Sequence, residues 1–489
     1  MKRIAIIGGG ICGLSAAFTL EQRRRTGVPL EYVLYESSSR LGGVISTERV
    51  DGCVVEAGPD SFLTEKPWAA DLCRELGLGD QLIGSNDAER KTYILLKGRL
   101  VPIPDGLMFM VPTRILPVVF SRLFSLVTKF RMAQEWFHSP ASSSKDESVA
   151  KFVERHYGSE LVERLADPLL SGVYGGDSSQ LSVRAVLPRF AQMEASHGSL
   201  GRAMLAGRKK IVHASSGSPR PLFTSLKDGM QQMTNALAAR LCASSICLST
   251  TVQQLRFKED GWMVSASGAG APELFDSLII ATPAHAAAAI LQSVSTELAN
   301  ELRGIPYTSS ITATLGYGHS VQPSLPPGFG FLVPRSEGRR LLAATFVHNK
   351  FPHRAPEDRA LIRCFFGGSR DEEILQLHED EILRIAREEL RQILGISAEP
   401  LFTRIYKWKA AMAQYTVGHL ERLDRIDRLR QQLPGLALAG NAYRGIGVPD
   451  CVHSGKQASE QALFAMGLTS SAAAATAVRS EPNYPRNNW

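Results

Sequence analysis

The first sixty residues carry two rhythms of apolar positions. Arg3-Ile-Ala-Ile-Ile7 is nearly all apolar and predicts a short strand buried on both faces. A glycine turn, Gly8 to Gly13, leads into Leu14-Ser-Ala-Ala-Phe18, whose small residues open a helix packed close on that strand. A second apolar run, Tyr32-Val-Leu-Tyr35, ends in Glu36. Helical spacing returns from Pro67 to Leu78, with Gly77 and Gly79 as its stop, and Tyr93 to Val101 predicts a hairpin turning at Lys97-Gly98.

Residues 105–137 hold short apolar stretches interrupted by Pro112, Pro117, Arg114, Arg122 and Lys129. They predict a helical lid, with a helix lying on a membrane or lining an apolar channel as the other reading. Residues 140–205 continue as helices, with a loop at Pro140 and Ser142–Ser144 and a glycine-rich break at Gly172-Val-Tyr-Gly-Gly-Asp177. A flexible stretch at Ser215–Pro221 precedes Leu222 to Met230 and a following helix. Strands are predicted at 250–257, 262–266 and 278–283, a helix at 284–303, and alternating strands at 307–318, 329–334 and 341–347. Residues 372–395 predict one long amphipathic helix. Leu436 to Asn441 reads as a strand running into a glycine turn, Val448 opens a last helix, and the Ala/Ser-rich residues 467–489 read as a disordered tail.

At 489 residues, 44% hydrophobic and 21% charged, the chain has room for two or three domains and a large core. A balance of 55 basic against 48 acidic residues is too mild and scattered for a nucleic-acid binder, yet it suits an anionic substrate. Seven cysteines form no CxxC pair, which predicts a reduced, cytoplasmic setting and no zinc site. The eleven histidines show no metal-ligand spacing, so no metal is expected. No cleavable leader is expected before the first strand, and no apolar run reaches the ~20 residues that span a bilayer.

Candidate chemistry begins at the glycine turn. Gly8 and Gly10 let backbone approach a pyrophosphate, and Gly13 permits close contact between helix and strand. The helix N-terminus offers unpaired N–H groups to phosphate. Glu36, 23 positions after Gly13, is placed to accept from a ribose diol. The continuation Arg40-Leu-Gly-Gly43 and then Glu56-Ala-Gly-Pro59 resembles large FAD oxidoreductases rather than NAD dehydrogenases. The N-terminus of the last helix, at 448–456, could aim its dipole at the pyrimidine end of an isoalloxazine and favour the anionic reduced flavin.

Six separated pieces together resemble the oxygen-dependent porphyrinogen oxidases of haem biosynthesis. They are Gly8–Gly13, Glu36–Gly43, Glu56–Leu63, Gly172–Asp177 with Leu181-Ser182, Gly328–Pro334 and Leu438–Asp450. The resemblance runs over about residues 1–466. It implies an α/β fold: a discontinuous Rossmann-like FAD domain (1–62, 215–283, 434–466), a mixed-sheet substrate domain (63–104, 284–433) and a helical domain (105–214). It also implies removal of six electrons and six hydrogens from a porphyrinogen in three flavin cycles, with O2 taking the electrons to give H2O2.

Carried over by the resemblance, contacts to a non-covalent FAD are Gly8, Gly9, Gly10, Ile11, Cys12, Gly13, Glu36, Ser37, Arg40, Gly42, Gly43, Gly58, Pro59, Asp60 and Ser61. Val252, Trp408, Gly440, Val448, Pro449 and Asp450 complete the set. Substrate contacts are Asp60, Lys66 for a propionate, Gly175 through a backbone carbonyl to pyrrole N–H, Phe331, and Phe351 against the macrocycle. Asp60 and Lys66 resemble the branch that accepts coproporphyrinogen III. Eukaryote-like protoporphyrinogen enzymes carry a basic or amide residue where Asp60 sits and an arginine where this chain has Thr92.

No catalytic side chain is expected, because a porphyrinogen carbon can yield hydride to flavin N5 directly; His419 and His453 are the nearest suspects for a base. A flavin amine oxidase or carotenoid-type desaturase stays open as an alternative, although many amine oxidases have Gly-Glu where this chain has Gly440-Asn441. A non-enzymatic prenyl-protein carrier on the same fold is the other. A homodimer, a peripheral membrane contact through 105–137 and a haem-pathway partner enzyme complete the expectations.

Overall fold

The N-terminal apolar run becomes a central strand because both of its faces are covered. A computed structural model describes residues 1–108, 110–140, 145–212, 220–259, 261–268 and 271–468. Its principal strands are β1 (Lys2–Ile7), β2 (Leu30–Tyr35), β3 (Thr92–Leu96), β4 (Arg99–Pro102), β5 (Ile246–Cys247), β6 (Ser277–Ile280), β7 (Tyr307–Gly318), β8 (Gly330–Leu332), β9 (Ala343–Phe346), β10 (Arg359–Gly367), β11 (Phe402–Ala413) and β12 (Leu436–Leu438). The helices used below are α1 (Ile11–Arg25), α2 (Trp68–Glu75), α3 (Ile115–Phe120), α4 (Leu126–Gln134), α5 (Asp167–Tyr174), α6 (Val183–Val186), α7 (Ala284–Leu291), α8 (Thr296–Arg303), α9 (Glu379–Leu394), α10 (His419–Gln431) and α11 (Val448–Ala465).

The first sheet runs β5-β2-β1-β6-β12, every pair parallel. Ile4 and Ile6 of β1 join one core with Leu14 of α1 and Leu463 of α11, while Ala5 and Ile7 join another with Leu278 and Ile280. This is the two-faced burial that a parallel sheet requires. The chain visits this sheet three times, at residues 2–35, 246–280 and 436–438, so the dinucleotide fold is discontinuous.

The second sheet is mixed, in the order β11-β7-β10-β9-β8-β3-β4, with β8 and β3 as its parallel pair. α9 covers its back through Ile382, Ala386 and Leu390 against Ile311, Ile362 and Cys364. Two expected helices are cut short. Residues 284–303 divide into α7 and α8, because the Ser295 side chain accepts the Leu298 N–H at 3.3 Å and starts a new helix. The helix expected over 372–395 begins as a 3₁₀ turn, Glu372–Gln376, and α9 starts afresh with Glu379, Asp380 and Glu381 in its first turn.

β10 and β11 are strands that the sequence pattern did not reveal. β10 is an apolar run broken by Arg363, and β11 is a half-buried edge strand studded with Arg404, Lys407 and Lys409. Residues 107–137 give the short strands Leu107–Met108 and Val111–Pro112, then α3 and α4. The loop at Ser142–Ser144, most of the stretch at 215–221 and the tail from residue 469 lie outside the described residues.

Candidate active site

At the carboxyl ends of β1 and β2 the glycine turn brings α1 close against β1. Gly8 adopts φ +106°, and a Cβ on Gly13 would sit 1.8 Å from the Gly8 carbonyl oxygen, so only glycine lets α1 reach β1. Gly10 is the opposite case: a Cβ there would meet nothing within 4 Å, and the residue faces a large cavity. α1 starts at Gly10 with no side-chain cap, leaving the N–H groups of its first turn to the same cavity. Gly42 and Gly43 close over this turn, the Gly42 N–H donating to the Gly9 carbonyl at 2.9 Å. The bare backbone and uncapped helix end form a cradle of the kind that suits a pyrophosphate, and Glu36 stands at its rim. Glu36 Oε2 accepts the Gly9 N–H at 2.6 Å and Oε1 the Ser38 N–H at 2.8 Å, which fixes the carboxylate in place.

The cradle is one end of a cavity of about 1660 Å³ that runs on to the floor of the mixed sheet. Of the residues expected to touch the cofactor, Gly8, Gly10, Ile11, Cys12, Glu36, Ser37, Gly42, Gly43, Gly58, Pro59, Asp60, Ser61, Val252, Trp408, Gly440, Val448, Pro449 and Asp450 line it. Gly9 and Gly13 act from behind the wall, through backbone. Arg40 is a correction. Its exposed guanidinium donates to the carbonyls of Leu41 at 3.2 Å, Ile45 at 3.1 Å and Gly43, so it clasps its own loop instead of facing the cavity.

The loop 56–61 forms the middle of the wall and is held from several elements. The Ala57 carbonyl accepts Trp408 Nε1 of β11 at 2.9 Å, Thr312 Oγ1 of β7 at 3.0 Å and Arg363 Nη2 of β10 at 3.3 Å. Lys350 Nζ reaches Asp60 Oδ2 at 3.1 Å and Ser61 Oγ at 3.1 Å. Burial alone would raise the Asp60 carboxyl; the Lys350 ammonium and the Arg363 guanidinium outweigh it and hold the group well below the usual carboxylate range. Below the loop, Arg354 meets Glu56 at 2.6 Å and Ser225 Oγ at 2.6 Å.

Of the expected substrate contacts, Lys66 and Gly175 line the cavity with protein partners of their own, and Phe351 lies outside it. Lys66 is paired with Asp450, its Nζ 2.7 Å from both carboxylate oxygens, and this ion pair ties the chain before α2 to the first turn of α11. A stack of Trp68 on His453, centroids 4.2 Å apart, reinforces that junction. Gly175 lines the cavity as the left-handed cap of α5, but its carbonyl accepts the Ser369 N–H at 2.7 Å. Phe351 is fully buried and lies outside the cavity, its ring 5.1 Å from Lys350 Nζ, because β10 and the helical turn before it fold it into the interior. Phe331 does line the cavity and packs on Phe346 at 6.2 Å.

His419 and His453 both sit behind the wall. His419 stacks on Tyr415 at 4.1 Å, and its Nε2 lies 3.1 Å from the Tyr443 carbonyl; burial pulls its pKa down to about 4, so it is neutral near pH 7. Lys350, Arg354 and Arg363 were missed by the sequence reading, because each finds its partner far away along the chain.

Parallel sheet, glycine cradle and long apolar chamber together define a flavoprotein oxidoreductase. The chain belongs to the flavin containing amine oxidoreductase family, whose sequence profile matches residues 11–463. A curated relative from Bacillus subtilis (strain 168), named coproporphyrinogen III oxidase, is 35% identical over 470 residues, covering 94% of this chain and 98% of its own. Protoporphyrinogen oxidase 2 of Arabidopsis thaliana is 28% identical, covering 94% of this chain and 93% of that one. A solved structure from Exiguobacterium sp. 255-15, described as that of a protoporphyrinogen oxidase, superposes with a TM-score of 0.83 at 30% identity, over 95% of this chain and 99% of the other. Cyclohexylamine oxidase from Brevibacterium oxydans shares the fold, with a TM-score of 0.68 at 18% identity.

Proposed function

We propose that this protein oxidises a porphyrinogen to a porphyrin, with coproporphyrinogen III favoured over protoporphyrinogen IX. The observation that carries the reading is the size of the cavity. At about 1660 Å³ it exceeds the roughly 300–1,000 Å³ of an ordinary small-molecule site, and so has room for a dinucleotide and a second large group end to end. The names of the similar proteins supply the class of that second group. FAD, held without a covalent bond, would supply the hydride acceptor and pass its electrons to O2, giving H2O2.

The chain's own residues bind and orient. Leu169, Val173, Ile290, Phe331 and Leu332 offer apolar walls to a macrocycle and exclude water. Arg184 and Arg444 line the cavity and, among the described residues, hold only loose, half-exposed carboxylate partners, Glu421 at 3.6 Å and Asp427 at 3.4 Å. Such pairs are weak and exchange readily, so these cations can take substrate carboxylates. A four-carboxylate substrate uses them better than a two-carboxylate one. The test is aerobic porphyrin fluorescence with coproporphyrinogen III and protoporphyrinogen IX in parallel. Faster emission from the former is expected; the reverse order overturns the preference. No emission from either, with a yellow protein, would leave an amine oxidase or desaturase.

Residues 107–137 extend the reading to a membrane surface. Ile115, Leu116, Phe120, Leu126, Val127 and Phe130 are each about two-thirds exposed or more, and Phe137 is 85% exposed. Arg114, Arg122, Lys129 and Arg131 lie among them, and no Asp or Glu occurs from residue 107 to 133. Among the described residues no helix is long and apolar enough to cross a membrane, so the contact is an interfacial one with anionic lipid. The protein is expected to sediment with vesicles rich in phosphatidylglycerol. Phe120→Ser with Phe130→Ser should cut the bound fraction roughly tenfold or more. A wild-type protein that stays in the supernatant would sink the idea.

A further inference from the structure

The loop at 56–61 is surrounded by five charged side chains, and four of them pair off. Glu56 has Arg354, and Asp60 has Lys350. Arg363 is the fifth. It stands on β10, 4% exposed, with its side chain in the cavity wall. The hydrogen bonds of Arg363 run from Nη2 to the carbonyls of Ala57 and Gly58, and among the described residues it has no carboxylate partner at ion-pair distance.

Its remaining donors divide between two spaces. Nε and Thr314 Oγ1 have no partner among the described residues, and both residues line a void of about 10 Å³, which is room for one water molecule. Nη1 makes no hydrogen bond to a described residue and is not among the enclosed atoms without partners, so it is left to the cavity. Thr345, directly opposite Arg363 in the β9–β10 register, also lines the cavity, as do Ser310 and Thr312 further along β7. The Phe365 ring, 5.0 Å from the guanidinium, limits its movement. Burial pulls the Arg363 pKa down by more than the nearby Asp60 and Glu56 carboxylates offset.

Asp60 and Glu56 act on this guanidinium only through space, and a hydrogen-bonded anion brought into the cavity would complete it. We infer that Arg363 binds a carboxylate arm of the substrate at the sheet end of the cavity, with neighbouring hydroxyls donating to its second oxygen. This rests on the reading of the substrate as a carboxylated porphyrinogen. It places one acid-bearing ring edge deep against β10, with Arg184 and Arg444 left for arms nearer α10.

The experiment is a binding titration of the flavin-loaded protein with coproporphyrin III and with its tetramethyl ester, read from the bound flavin's absorbance. The ester keeps the macrocycle and removes the charges. Wild type is expected to prefer the free acid. Arg363→Gln should weaken the acid roughly 10- to 100-fold while leaving the ester unchanged, and should raise KM more than it lowers kcat. Arg363→Lys should recover part of the preference. Equal weakening of acid and ester, or loss of flavin, would make Arg363 only a peg for the 57–58 carbonyls and overturn the inference. An acid preference that survives Arg363→Gln would overturn it as well. A wild-type protein that binds neither porphyrin and oxidises no porphyrinogen would remove the proposed function itself.

Discussion

Gly13→Ala is expected to yield a colourless protein with a broken dinucleotide fold, whereas Gly10→Ala, three residues away, should stay folded and only lose flavin affinity. The two differ in what a methyl would meet. At Gly13 it would lie 1.8 Å from the Gly8 carbonyl oxygen and 3.0 Å from its carbon, both backbone atoms of a turn whose N–H is bonded to the Tyr35 carbonyl at 2.8 Å. Neither side can yield without moving α1 off β1, at a cost of about 3 kcal/mol or more. α11 packs on the same helix with equal intolerance, since a Cβ on Gly455 would lie 2.1 Å from the Cys12 carbonyl oxygen. At Gly10 the backbone has ordinary φ, −71°, and a methyl meets no protein atom within 4 Å; it projects into the cradle instead. Thermal unfolding and the visible flavin spectrum separate the two. A Gly13→Ala protein with a wild-type melt and full yellow colour would show that the strand–helix contact has slack.

That contrast marks what could be read from the sequence and what could not. The β1–α1–β2 unit is local: its glycines, its small helix residues and Glu36 lie within one short stretch, and each is dictated by its neighbours in the chain. The last strand and helix, β12 and α11, were legible for the same reason. The charged framework was not. Lys66 finds Asp450 across 384 positions, Lys350 finds Asp60 across 290, and Arg363 finds Gly58 across 305. No periodicity or spacing rule reaches that far, so Lys66 was expected to meet a propionate, and Arg363 drew no expectation at all. Phe351 failed in the same way: its aromatic character was legible, but whether its ring faces cavity or interior depends on how β10 meets the loop at 56–61.

Arg354→Met is expected to destabilise the protein by about 3–5 kcal/mol, although residue 354 lies outside the cavity wall. The Arg354 side chain is 1% exposed and that of Glu56 4%. The guanidinium bonds Glu56 Oε1, which also accepts the Met230 N–H at 2.7 Å, while Glu56 Oε2 accepts Thr47 Oγ1 at 2.7 Å. Removing the cation strands a carboxylate in the interior with only neutral donors. It also unties Ser225, whose hydroxyl donates to the Asp60 carbonyl at 2.6 Å, so the wall loop loosens one residue from the Gly58-Pro59 turn. Flavin affinity should therefore fall together with stability. Replacing Glu56 as well, as Glu56→Gln with Arg354→Met, should cost less than the sum of the single changes, since the stranded charge is gone. The exposed pair Arg391–Glu388, 55% and 42% accessible, is the control: Arg391→Met should leave the urea midpoint where it is. A midpoint for Arg354→Met close to that of the control would mean that the Arg354–Glu56 pair adds little to the folded state. The loop at 56–61 would then be held mainly by its sheet contacts from Trp408, Thr312 and Arg363.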